Sequence, residues 1–402
     1  MASQGFSSIS NALVAVVIAH IASPSGLGAF GIAFGAYTIT LMASRAVANS
    51  RLIIDTTHAW DNGRLEAEYM AVSLFVAVVG SLSLAVLALT ARDMQSDLLW
   101  FIALGLPALI VQDYVRGVAF TRETPSIAAG IDLVWLMTQL VFLLTQGVLH
   151  SDLTERSVLG AWVLGACVSA AIGVRQTGIS PNFPLAMLGL RSSWRRSLSL
   201  LVDFLTPSVG LYILTFGLAL HRGADAVAPL RGGQTSVAPV NVAIMGINPI
   251  MVVEARRSAA RGLTHILMRT QFIFGSLNVL VLLAGGAIMT SSGLDLGSLV
   301  VGKNWTEAQP LVMPVAVDLA GTAMATAAII VLRRLRYDSE IIRFRVCTAF
   351  ILIASSSILA VTKDVRIGVL VIAFIQWGVA SVAWALTWRL VWNPIATEVF
   401  VA

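Results

Sequence analysis

The feature that most constrains this chain is a recurrence of apolar runs, each about as long as a bilayer is thick. A helix needs about 20 residues, at about 1.5 Å each, to cross hydrocarbon. Twelve such runs follow one another, near residues 6–22, 29–43, 69–91, 98–112, 127–148, 158–174, 198–220, 234–253, 266–289, 310–332, 342–361 and 368–388. Charged residues are only 12 % of the chain and apolar residues 57 %. A water-soluble chain carries about twice that charge. The sequence therefore predicts an all-α polytopic membrane protein with about twelve transmembrane helices. No Lys or Arg precedes the first apolar run, so that run reads as a retained helix rather than a cleaved signal.

Charges between the runs predict the orientation. With the N-terminus inside, the inward segments and helix ends hold Arg45, Arg51 and Arg64, then Arg116 and Arg122, then Arg175, Arg191, Arg195 and Arg196, and further arginines after each later pair of runs. Outward segments hold fewer cations and carry acids such as Asp93, Asp97, Asp152 and Glu155. Positive charge stays inside, so both termini are expected in the cytoplasm. The basic residues are explained by topology, and no nucleic-acid partner is expected. Two long inward loops are expected, about 45–68 and 175–197. The second lies near the midpoint and divides the chain into two six-helix lobes, 1–185 and 186–402, as in transporters built from repeats.

The first two runs form a hairpin with two distinct faces. Gln4, Ser7, Ser8 and Asn11 recur at helical spacing and share one side of the first helix. Polar groups in hydrocarbon need partners, so that side should meet protein or water. Gly28, Gly31 and Gly35 form a small-residue stripe on the second helix, where another backbone can come close.

Ionisable groups inside spans are costly and mark function. Asp132 lies early in the fifth run, Asp203 early in the seventh and Asp318 near the middle of the tenth. Asp113 and Arg116 are three apart and can pair on one helix face. Asp132 either faces an inward vestibule or reaches the cytoplasmic interface. Asp318 is protonated, faces water or meets a cation from another helix. The eighth run opens with Arg231, Gln234, Pro239 and Asn241 and later holds Pro249. Prolines free backbone carbonyls and kink helices that line cavities. The sequence shows no phosphate-binding glycine loop with Lys, no His/Cys cluster with metal spacing and no nucleophile triad. An enzyme, a bound metal and a resident cofactor are therefore not expected.

Several stretches resemble polysaccharide exporters, the flippases of the multidrug/oligosaccharidyl-lipid/polysaccharide (MOP) superfamily. They are Gln4-Gly5-Phe6-Ser7-Ser8 with Asn11, the turn from Pro24 to Gly31, Ser44-Arg45, Gln112-Asp113-Tyr114-Val115-Arg116 through Pro125 to Asp132 and Trp135, Leu230-Arg231 with Gln234 and Pro239, and Gly302-Lys303-Asn304-Trp305. The resemblance implies a transporter of a bacterial plasma membrane that moves a lipid-linked saccharide by alternating access. Membrane lipid and the lipid-linked saccharide are its implied ligands, with a glycan polymerase or glycosyltransferases as protein partners. It also implies that Arg45, Arg116 and Arg231 meet phosphate or acidic sugar, with Asn11, Gln234 and Asn241 at the head group. Two other functions fit the same residues. One is a cation-coupled drug exporter that uses Asp132 or Asp318 as its ion-coupling carboxylate. The other is a non-transporting scaffold for glycan synthesis. This chain departs from many relatives in stopping at twelve spans, and the sequence places no arginine at mid-depth.

Overall fold

A computed structural model describes residues 2–56, 62–90, 95–149, 153–240, 263–291, 295–362 and 364–392. Every regular element among them is helical. The main helices are α1 (Ala2–Ile21), α2 (Pro24–Ser44), α3 (Ser50–Thr56), α4 (Asn62–Thr90), α5 (Gln95–Thr121), α6 (Pro125–Leu149), α7 (Glu155–Thr177) and α8 (Phe183–Arg222). They continue with α9 (228–240 as described), α10 (Thr264–Thr290), α11 (Leu296–Val301), α12 (Trp305–Arg334), α13 (Asp338–Leu359) and α14 (Val365–Val391). Among the described residues, ten helical stretches are long and apolar enough to cross a membrane, and the apolar part of α1, Gly5–Ile21, is shorter. Most of the expected eighth span, together with Asn241, lies outside the described residues.

Two expected loops are largely helix instead. After α2 the chain winds through a π-helical turn, Arg45–Asn49, straight into α3. Arg45 therefore sits within a continuous helical rod rather than at its end. Past α7, only residues 178–182 separate it from α8, whose N-cap Asn182 accepts from Leu185 N. Arg191, Arg195 and Arg196 ride on this 40-residue helix. Arginine is a good helix former, and a capped start lets the helix run on into the following apolar stretch.

The chain divides into two compact units. The first comprises Met1–Leu205, Leu218–Arg231 and Gly302–Asn304. Within it α5 is the central helix, packed by α4, α7, α2 and α6, and α1 lies on α6. Leu52, Tyr69, Val72, Val111, Val115 and Ile131 share one buried cluster. By contrast, α4 turns Phe75, Val79, Leu82, Val86 and Leu89 outward. A helix apolar all round suits a lipid-facing position, because acyl chains are as apolar as leucine. In the second unit α12 is packed by α10 and α14.

The glycine stripe of α2 has a definite partner. A Cβ at Gly28 would stand 1.8 Å from the carbonyl oxygen of Ala224, and one at Gly31 would stand 3.2 Å from the Arg231 and Val227 side chains. Glycine is what allows the segment leading into α9 to lie directly on α2. This contact decides where Arg231 points.

Candidate functional site: a charged and aromatic seam in the first unit

Asp113, on α5, is the centre of the site. It is 6 % exposed and accepts four hydrogen bonds. Arg45 donates two of them, from Nε to Oδ2 at 2.9 Å and from Nη2 to Oδ1 at 2.6 Å. Arg116 Nη2 donates to Oδ1 at 2.7 Å and Asn49 Nδ2 to Oδ2 at 3.3 Å. The two-pronged Arg45 contact fixes the plane of the guanidinium as well as its place. The network continues to α6. Arg116 Nη1 lies 3.6 Å from Asp132 Oδ2, and Gln112 Nε2 donates to Asp132 Oδ1 at 2.8 Å.

Exposure separates the members. Side chains of Asp113, Arg116 and Asp132 are almost wholly enclosed, whereas that of Arg45 is 36 % exposed. Its Nη1 makes no hydrogen bond to any described residue. Arg45 is thus anchored on a buried carboxylate through Nε and Nη2 while part of its side chain is exposed. The π-helical turn brings both Arg45 and Asn49 to the same carboxylate, and such turns recur at functional sites.

An aromatic seam runs along α2 toward Arg45. Phe30, Phe34 and Tyr37 follow at spacings of four and three, so they share one face, and each ring lies within 5.5 Å of the next. Tyr37 meets Trp162 of α7 edge-on at 4.9 Å. Trp162 Nε1 donates to Asn11 Oδ1 at 3.2 Å, and Trp135 Nε1 donates to the Trp162 carbonyl at 2.9 Å. At the far end the Arg231 guanidinium stacks on Phe34 at 4.3 Å and on Phe30 at 4.8 Å. The rings are six to ten residues inside α2, or about 9–15 Å along its axis. Arg231 thus reaches well inside the α2 hairpin, where the sequence had suggested no deep arginine. Cation–π contact with two ring faces helps to hold the flat guanidinium in place.

The polar side of α1 packs on protein. Ser7, Ser8 and Ser10 are buried, and Ser10 Oγ donates to Gln139 Oε1 at 2.6 Å. At the 56–69 end of the unit, Glu66 accepts two bonds from Arg122, at 3.0 and 2.5 Å, and Arg122 also donates to the Thr177 carbonyl. Arg122 lies just past the apolar span, and the hydrogen-bonded Glu66 carboxylate holds its guanidinium above the ordinary arginine range.

Arg45, Arg116 and Asp132 are thus brought together through Asp113, and Asn11 and Arg231 lie along the same α2 and α7 seam. Gln234 and Asp318 belong to the second unit. Asp318 is 1 % exposed on α12, and its Oδ1 has no hydrogen-bond partner among the described residues. Sequence reasoning missed Ser10, Asn49, Trp162 and the Phe30–Phe34–Tyr37 face. Aromatic spacing in phase with Arg45 was the available signal for the last.

No protein-family model matches the sequence, and no curated relative is similar to it. Solved structures do match. A multidrug resistance transporter of the MATE family and MOP superfamily, in an inward-facing conformation, matches with a TM-score of 0.74 at 12 % identity, over 96 % of this chain and 94 % of that one. This chain has the fold of the MATE transporters. An outward-facing MATE structure gives 0.61 at 13 % identity, over 97 % and 93 % of the two chains. A MOP superfamily transporter from Pyrococcus furiosus, described as having a binding pocket of reverse polarity, gives 0.60 at 12 % identity, over 97 % and 92 %.

Proposed function

We propose that this protein is a MOP-superfamily transporter of a bacterial plasma membrane, with both termini cytoplasmic, and that it moves a lipid-linked saccharide with an anionic head group. The fold supports transport at the level of architecture, since one fold serves several cargoes. The choice of cargo rests on Arg45. Its side chain is 36 % exposed and is held by Asp113 through Nε and Nη2, which leaves Nη1 as the donor for a ligand. A phosphate or acidic sugar finds a preoriented donor there, and a cationic drug meets a like charge. Arg231, flat on Phe30 and Phe34, is the second head-group contact, and Arg116 positions Asp113. Asn11 adds a neutral hydrogen-bonding group beside Trp162.

Physically, a charged sugar cannot enter hydrocarbon unaided, so protein must solvate it while its lipid tail stays in the bilayer. No covalent step is required. Transport needs only exchange between conformations that bind the head group differently. Glycosyltransferases that supply the cargo and a polymerase that consumes it are the partners this chemistry implies. The test is reconstitution in vesicles with a fluorescent polyprenyl-diphosphate saccharide in one leaflet. Flipping should fall at least tenfold with Arg45→Ala, and unchanged flipping refutes the assignment.

A second reading is favoured by one observation, the enclosed Asp318, whose Oδ1 has no hydrogen-bond partner among the described residues. Such a carboxyl suits coupling to a cation gradient. Uptake of a cationic dye driven by an ion gradient, with saccharide left in place, selects that reading.

A further inference from the structure

The end of α1 is capped from far away in sequence. The last carbonyls of a helix have no partner within it, and leaving them unpaired in an apolar setting is costly. Here Asn304 Nδ2 donates to the Ala19 carbonyl at 2.9 Å and to the Ala22 carbonyl at 3.1 Å, and Lys303 Nζ donates to the Ile21 carbonyl at 2.8 Å. Asn304 is 7 % exposed, so its amide is built into the site. Gly302 has φ +62°, and a Cβ there would stand 3.0 Å from His20 Cα. Both the left-handed backbone and the close approach call for glycine. Between α11 and α12, which belong to the second unit, these three residues belong to the first.

We propose that Gly302–Asn304 is a detachable clip on α1, with Lys303 and Asn304 as positioning residues for the α1 face that carries Ser10 and Asn11. Side chains cap this helix end where local backbone would be the usual partner. A cap made of three side-chain bonds from a remote segment can be withdrawn and replaced by water without unwinding α1. Capping by its own chain neighbours offers no such release. The clip sits at the α1–α2 turn, just before Ser23 caps α2 by accepting from Gly26 N. Release frees α1 to shift its polar face. The transport arm of the test rests on the function proposed above.

The test uses the full chain with Cys167→Ser and Cys347→Ser, then Ala22→Cys together with Asn304→Cys. Oxidation should form the disulfide nearly completely, seen by mass spectrometry without reduction. Failure to form it refutes the contact. The oxidised protein should flip the fluorescent polyprenyl-diphosphate saccharide at least tenfold more slowly than the reduced protein, with the rate restored by reductant. Where the unmodified chain moves saccharide, equal rates in the two forms make the segment a static cap and overturn the proposal. Hydrogen exchange supplies a readout without cargo. Amides of 22–27 should exchange at least tenfold faster in reduced than in oxidised protein, while those of 111–118 stay the same. If exchange responds and no saccharide moves even in the unmodified chain, the cargo assignment fails and the clip stands. Unresponsive exchange in a fully cross-linked sample removes the clip whatever the cargo.

Discussion

Asp113→Asn is the perturbation that probes the seam most directly. The carboxylate has Arg45 and Arg116 as its cationic partners, at 2.6 and 2.7 Å. The amide removes the charge and turns one acceptor into a donor, which then faces a guanidinium. Breaking a buried pair from one side costs about 3–5 kcal/mol. The lower end applies here, for two reasons. Arg116 retains Asp132 at 3.6 Å, and Arg45, with 36 % of its side chain exposed, can turn to solvent. A loss of about 3 kcal/mol corresponds to a fall of about 6–12 °C in Tm for a unit of this size. Arg45→Ala is the control. It leaves the buried Asp113 paired with Arg116 and Asn49, and the side chain removed is itself 36 % exposed, so the loss is about 1 kcal/mol or less. Its Tm should drop by no more than about 4 °C. Thermal unfolding in detergent, followed by tryptophan fluorescence, separates the two variants. Adding Arg116→Gln to Asp113→Asn should recover part of the loss, with a coupling of about 1–3 kcal/mol. The reasoning fails if Asp113→Asn unfolds within about 2 °C of the parent, or if Arg45→Ala destabilises as much as it does.

Three other outcomes follow from specific contacts. Arg231→Lys should lose most saccharide flipping with little change in Tm, because an ammonium cannot lie flat on Phe30 and Phe34 as a guanidinium does; full activity of the lysine variant in vesicles would contradict the stacking role. Gly28→Ala places a Cβ at 1.8 Å from the Ala224 carbonyl, a clash costing about 3 kcal/mol or more, and monodisperse protein on size-exclusion chromatography should fall sharply. Asp318→Asn should keep or raise Tm, since a buried carboxyl whose Oδ1 has no partner among the described residues costs stability, and should abolish any ion-driven uptake; gradient-driven transport at the parental rate would remove Asp318 from coupling.

Much of this was legible in the residues. Apolar runs gave the helices and the fold class because each span must satisfy its backbone internally, whatever its neighbours. The scarcity of ionic groups drew attention to Asp113, Arg116, Asp132 and Asp318, since few side chains can be charged inside a membrane without a purpose. Linkers were the weak point. The stretches after Ser44 and after Thr177 looked like loops because arginines interrupt the hydropathy, yet arginine is compatible with helix and both stretches continue helical. The π-helical turn at Arg45–Asn49 left no composition signal, because it reflects how two side chains reach one carboxylate on α5.

By itself the sequence determined that the chain is helical and membrane-spanning, and which few polar side chains would need partners in hydrocarbon. Local hydrophobicity suffices for that, because it acts residue by residue along each rod. Tertiary structure alone decided the pairings: Arg45 on Asp113, Arg231 on the α2 rings, and Asn304 on the end of α1. These join residues 68, 197 or more, and 282 or more positions apart in the chain. No spacing rule reaches that far, since such contacts depend on how helices pack side by side, where a single absent Cβ at Gly28 lets Ala224 come close.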